Sequence, residues 1–352
     1  MDNRSHSRLH SLTHFIHRFF LPILIGSYVL AGLAPQAGLA IRQISFGSVE
    51  LPALGKTNIS ISLVMLSFLL FNAGLGIQIN ELRELWKRPL LIIVGFVANI
   101  LVPMLLVTAF HGVLLKWHNP DELQNLLVGL ALIAAMPIAG SAATWAQNAN
   151  GNISLSLGLI LSSTILSPLI TPMVLHYYGT LTHGDYSEDL HELAQQGTNA
   201  FLCLTVVIPS LLGIASHVLL GEDRTARLKP VMKLFNFAML LALNYSNAST
   251  SLPEVFAHPD WDLLILVLIS TTGVCGFAFF SGWFISRIFR TNIADRAALM
   301  FGLGMNNNGT GLVLASTALA DHPSVLVPMI LYTLVQQVIA AAADSWFFKS
   351  QD

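Results

Sequence analysis

Charge is what this sequence lacks most. Lys, Arg, Asp and Glu together make up 10% of its 352 residues, where a soluble domain carries about 25%. So few charges do not cover the surface of a water-soluble chain of this length, so a soluble globular fold is excluded. The formal net charge of −2 leaves no basic footprint for nucleic acid. Cysteine is nearly absent. Cys203 and Cys275 are too few and too far apart for a disulfide framework or a thiolate metal site. Both sit in apolar segments, as small buried side chains do. The longest non-apolar stretches, 35–58 and 178–196, are loops too short for a catalytic domain.

What is present is apolar. Residues of that type make up 54% of the chain, and runs of roughly 17–25 of them, enough to cross ~30 Å of hydrocarbon, recur throughout. Ten spans are expected, at 17–34, 59–78, 89–115, 126–148, 152–177, 197–220, 231–256, 262–286, 297–319 and 325–348. Breakers such as Pro35, Pro89, Pro120, Gly151, Gly221, Pro259 and Pro323 separate them. Arg4, Arg8 and Arg18 ahead of Phe19–Leu33 imitate a secretory signal, but the stretch is long enough to be a retained first helix. Arg42, Lys56 and Lys116 fall in loops on one side of the membrane, and every other Lys and Arg falls on the other. By the positive-inside rule both termini are then cytoplasmic. The expectation is a multi-pass protein of the plasma (inner) membrane, all-α, forming a single transmembrane domain over 1–352 with the bilayer as its surroundings.

The spans divide near residue 190 into two sets of five, about 17–177 and 197–348. Five is odd, so the second set runs inverted, a common plan of secondary transporters. The fourth span of each set is interrupted. One reads Met136-Pro137-Ile138-Ala139-Gly140-Ser141, followed by Thr144. The other reads Gly302-Leu303-Gly304-Met305-Asn306-Asn307-Asn308-Gly309-Thr310. Broken backbone and consecutive asparagines at membrane depth are tolerated only where they are buried in protein or line a cavity. Close helix packing through small residues is the structural alternative. It suits Gly140, Ser141 and the Ala142-Ala143 pair better than the asparagine run. Asn72, Asn99, Gln336 and Gln337 add polar groups in other spans, and Asn244 and Asn247 lie three apart on one helical face. Isolated hydroxyls such as Ser162, Ser163 and Thr164 read as structural, bonding back to their own helix.

Several stretches together resemble the bile acid:sodium symporter family. They are Phe71-Asn72-Ala73-Gly74-Leu75-Gly76, the run from Pro137 to Asn152, Leu155-Ser156, Ser167-Pro168 with Thr171-Pro172, Gly304–Gly309, and Val327-Pro328 followed by Gln336-Gln337. The likeness covers nearly the whole chain. It implies a core domain around two crossing broken helices, a panel domain, alternating access, and sodium as a coupling ion. This chain departs from the family at its ion ligands. A Ser-Asn pair is replaced by Ala142-Ala143, a glutamate by Gly302 and a threonine by Ile160, while Ser156 and an amide at Asn306 are kept. A hard cation is best held by oxygens including a carboxylate, and no Asp or Glu stands at mid-span.

The expected function is therefore a secondary transporter of a small organic solute, an organic anion, with no tightly bound cofactor. Its substrate residues are Ser141, Thr144, Asn306, Asn307, Asn308, Thr310, Asn72, Asn244 and Asn247. A sodium symporter with rearranged ligands Ser156, Asn306 and Gln336 is the alternative, and a non-transporting sensor or scaffold is another. The resemblance extends distantly to arsenite exporters, which use a cysteine in the fourth span, and this span has none. A hydrolase would need a His or carboxylate beside a membrane-depth Ser or Thr. His111 lies near a helix end, so no enzyme is expected. Substrate identity, direction and oligomeric state are not encoded in these motifs.

Overall fold

The computed structural model describes residues 19–51, 55–77, 81, 84, 88–195 and 197–348. Arg4, Arg8, Arg18, Arg83, Lys87 and Lys349, which carry much of the expected charge asymmetry, lie outside the described residues. The chain is mainly helical. Among the described residues, five helical runs are long and apolar enough to cross a membrane: Pro89–Gly112, Ile153–Gly179, Thr198–Ala248, Trp261–Ile288 and Pro323–Phe347. The third has 51 residues, which at 1.5 Å per residue exceeds twice the ~30 Å of hydrocarbon. The chain is thus a multi-pass membrane protein. It forms two compact units, each drawn from both halves of the sequence. The described residues of one fall within Met1–Val49, Thr57–Gln78 and Cys203–His258, and those of the other within Glu50–Lys56, Ile79–Leu202 and Pro259–Asp352.

Unit one contains α1 (Phe20–Leu33) and α2 (Gln36–Gln43), bent by 90° where Ala34 and Pro35 interrupt the helix. α3 (Ile61–Leu75) starts at Ser60, whose hydroxyl accepts from the Leu63 N–H. α10 (Ile208–Ala248) is two helices joined at Gly221, whose φ of 76° suits glycine. A turn at 249–251 leads to α11 (Leu252–Ala257), so span seven ends earlier than the apolar pattern suggests. α3 and α10 meet backbone to backbone. A Cβ on Gly74 would lie 2.1 Å from the Ser210 carbonyl oxygen, and one on Gly213 would lie 2.1 Å from that of Phe71. Only glycine permits this approach. Nδ1 of the buried His217 lies 2.8 Å from the Leu75 carbonyl oxygen at the end of α3. One departure from an all-α chain lies in the first loop, where β1 (Ser45–Leu51) and β2 (Gly55–Ser60) pair as a two-stranded sheet. β-branched Val49, Thr57 and Ile59 favour it.

Unit two contains α4 (Pro89–Leu114), α5 (Pro120–Ala135), α6 (Ser141–Asn148), α7 (Ile153–Gly179), α8 (Asp185–Gln195), α9 (Thr198–Leu202), α12 (Trp261–Ile288), α13 (Ile293–Gly304), α14 (Asn308–Ala318) and α15 (Leu326–Phe347). The side chains of Asn119, Asn152, Asp260 and Asn292 cap α5, α7, α12 and α13 at their starts, each satisfying an orphan N–H. Spans four and nine are each two helices, α5 with α6 and α13 with α14. Asp295, fully buried near the start of α13, accepts from Asn152 Nδ2 at 2.7 Å and pairs with Arg88 at 2.9 Å. The spacing pattern alone did not single it out.

Candidate functional site

The site is built where the two broken helices of unit two pass each other. α5 ends at Ala135 because Pro137 has no N–H to continue the helix. α13 ends at Gly304, with Met305 extended. Freed backbone in an apolar interior must find partners, and each break supplies them to the other. The Ala139 N–H donates to the Met305 carbonyl at 2.8 Å, the Asn307 N–H donates to the Pro137 carbonyl at 2.8 Å, and Ile138 faces Asn306 in an antiparallel bridge. The Ile138 N–H donates to Ser163 Oγ at 3.1 Å. Thr171 Oγ donates to the Ala135 carbonyl at 2.6 Å. Ser163, which the sequence marks as structural, and Thr171 are thus partners of the unwound strand. A small cavity borders that strand at Met136 and Pro137 and is lined also by Asn99, Ser163, Ser167 and Thr171.

Asn306 is the strut of the crossing. Its Oδ1 accepts from Asn99 Nδ2 at 3.2 Å and its Nδ2 donates to the Ile133 carbonyl at 3.0 Å. Its own carbonyl accepts from Gln336 Nε2 at 3.4 Å. Asn307 caps α14, its Oδ1 accepting from the Thr310 N–H at 3.3 Å. Asn308 and Thr310 are buried, and Asn308 Oδ1, Asn308 Nδ2 and Thr310 Oγ have no hydrogen-bond partner among the described residues. Across the crossing, α6 begins at Gly140 with no side-chain cap. Ser141 and Thr144 are exposed on it. The N–H groups of Gly140 and Ser141 make no hydrogen bond to the described residues.

The other predicted residues belong to unit one. Asn72 Nδ2 donates to the Met232 carbonyl at 3.4 Å. Asn244 and Asn247 are both buried, and Asn247 Oδ1 accepts from Arg42 Nη1 at 3.1 Å. Arg42, counted in the sequence as a loop charge, thus stands against a buried amide. Its bend back from α1 is a tertiary feature with no signature beyond Pro35.

The positions at which this chain departs from the family pattern of sodium ligands carry no side-chain oxygen. Ala142 is fully buried. Ile160 is buried, and a Cβ on Gly302 would lie 2.9 Å from Leu159 Cδ1. The neutral oxygens Ser156 Oγ and Gln336 Oε1 are buried without partners among the described residues. The residues present do not reproduce a carboxylate-centred cation site.

Long apolar helices, with two of them broken and paired at their unwound centres, define a membrane transporter rather than an enzyme. The chain belongs to the SBF-like CPA transporter family, whose model matches residues 13–344. It is 30% identical over 278 residues to the Bacillus subtilis protein YbaS, covering 78% of this chain and 84% of that one. It is 20% identical over 288 residues to Bacillus subtilis YocS, named as a sodium-dependent transporter, covering 81% of this chain and 82% of YocS. A probable sodium/metabolite cotransporter of Oryza sativa subsp. japonica, chloroplastic BASS2, is 23% identical over 291 residues, covering 82% of this chain and 64% of the rice protein.

Proposed function

We propose that this protein is a secondary transporter that carries a small organic anion by alternating access. The observation that carries the reading is the start of α6. It is exposed and has no side-chain cap, and the Gly140 and Ser141 N–H groups make no hydrogen bond among the described residues. A helix N-terminus of this kind attracts an anion through its N–H groups and dipole. The hydroxyls of Ser141 and Thr144 stand on the same turn and would orient it. Asn308 and Thr310 at the start of α14 offer buried polar atoms from the other broken helix. Asn307 holds that helix start in place.

We place the protein in the plasma membrane, with ten spans, two inverted repeats near 17–177 and 197–348, and both termini cytoplasmic. Broken helices at equivalent positions in the two halves support the repeats, and the distribution of Lys and Arg supports the orientation. A second reading is sodium-coupled symport. It draws on the names of YocS and the rice cotransporter and on the unpartnered Ser156 and Gln336 oxygens. Asn306 Oδ1 is already committed to Asn99, which weighs against its serving as an ion ligand.

The test is uptake of labelled organic anions into vesicles. Asn307→Ala and Ser141→Asp should abolish it while leaving folded protein in the membrane, and wild-type uptake in both would reject the site. Melting of the purified protein in sodium against potassium at equal ionic strength separates the two coupling readings. A bound ion raises stability by mass action. No sodium-specific rise is expected.

A further inference from the structure

Imidazole is the commonest side-chain ligand of transition metals, and unit two brings two imidazoles together. His176 lies in the last turn of α7 and His191 on α8. Their Nδ1 atoms stand 3.0 Å apart. The ring centroids are 4.6 Å apart and the ring planes are tilted by 56°. The backbone is shaped for this approach. A Cβ on Gly179 would lie 2.7 Å from Cε1 and 2.9 Å from Nδ1 of His191, so glycine leaves the room that the ring fills. Ser187 Oγ donates to the Gly179 carbonyl at 2.7 Å, which ties α8 to the end of α7.

Two nitrogens bound to one metal ion at ~2.0–2.1 Å stand about 2.8 to 3.4 Å apart, from the square to the tetrahedral angle. The separation of 3.0 Å falls near the square end. An in-line N–H···N bond of that length would set the ring centroids about 5.3 Å apart, because a ring centre lies roughly 1.15 Å behind its nitrogen. The centroid distance of 4.6 Å is shorter. It matches the ~4.7 Å of two rings whose lone pairs converge on one ion, each ring then carrying its proton on Nε2. The surroundings favour a cation. The carbonyl end of α7 is the negative pole of its dipole, and α8 contributes Asp185, Glu188, Asp189 and Glu192. His176 is exposed, which gives an ion access. Among the described residues no third His, Cys, Asp or Glu joins the pair in a metal-binding group, so water completes the coordination and the ion exchanges.

We propose that His176 and His191 form a binding site for a divalent transition-metal ion that favours square geometry, Cu2+ or Ni2+, which clips α8 to the end of α7. The inference goes beyond the transport reading and does not depend on it. An ion here braces the connection from α7 to α9, not the crossing of the broken helices.

The experiment titrates Cu2+ into the full chain, purified in detergent without a polyhistidine tag, and reads electron paramagnetic resonance and melting. The chain has 12 histidines, so the first equivalent of Cu2+ is the one that counts. It is expected to show two equatorial nitrogens and to raise the melting temperature by mass action. His176→Gln and His191→Gln should each lose one of those nitrogens and weaken binding at least tenfold. His118→Gln, at an exposed histidine that stands beside Asp262 instead, should change neither. If a glutamine variant does not fold, Gly179→Ala decides in its place. It keeps both ligands but displaces the His191 ring, and should weaken binding to the same degree. The proposal is overturned if the first equivalent shows fewer than two nitrogens in wild type, binds either glutamine variant as tightly as wild type, or is lost equally in His118→Gln. The pair is then a hydrogen bond only.

Discussion

The two half-helices that start at the crossing, α6 and α14, differ in how their first N–H groups are satisfied. α14 is closed by Asn307, whose side chain accepts from the Thr310 N–H, and Asn308 and Thr310 in its first turn are buried. α6 starts at Gly140, which has no side chain to offer, and Ser141 and Thr144 face outward. One helix start is closed by its own side chain, and the other is open, which is why we propose it as the ligand's. The asparagine run in the sequence drew attention to α14, yet two of its three amides are structural. Asn306 ties α13 and α14 to α4 and α5 through Asn99 and the Ile133 carbonyl, and Asn307 is a cap. Polar residues at a break are therefore not all ligands. Most of them replace the helix bonds that the break removed.

Substitutions break or sharpen this contrast. Asn306→Ala should have the largest effect, because it takes from the buried Asn99 Nδ2 its acceptor and from the Ile133 carbonyl its side-chain donor, leaving that carbonyl only the Met136 N–H. Leaving a buried polar group without its partner costs about 1–3 kcal/mol, read as a lower melting temperature in detergent. Asn307→Ala should cost about 1 kcal/mol, the usual value of a helix cap, whereas Ser141→Ala should leave melting within ~0.5 kcal/mol of wild type. Equal losses in these two variants would erase the contrast. Ser141→Asp puts a negative charge at the open helix start and should raise stability by ~0.3–1 kcal/mol, even as it blocks uptake. The smallest change is expected from Gly302→Ala. The gain of up to ~1 kcal/mol from replacing a mid-helix glycine is offset by the contact at 2.9 Å with Leu159 Cδ1, and the response to sodium should not change. A sodium-specific rise in wild type that disappears in Gly302→Ala would place an ion beside that glycine.

Hydrophobic run length made the helices legible. The apolar stretches at 89–115, 152–177, 262–286 and 325–348 match α4, α7, α12 and α15 to within a few residues, because a backbone in hydrocarbon has few options but to bond within its own helix. Proline and glycine made the breaks legible at Pro137 and Gly304 for the same reason. The short sheet at 45–60 and the bend at Pro35 were less visible, since both lie in a mixed polar segment where run length carries no signal.

By itself, the sequence determined a multi-pass membrane chain, where the helices break, and that no carboxylate stands at mid-span. These are properties of local composition, set by the cost of polar groups in lipid. Only the tertiary structure decided which polar groups satisfy one another. Ser163 serves the Ile138 N–H, Asn306 joins Asn99, Asp295 is buried against Asn152 and Arg88, and Arg42 reaches Asn247 across 205 positions of sequence. A hydrogen bond depends on a distance in space, and these partners are brought together only by packing.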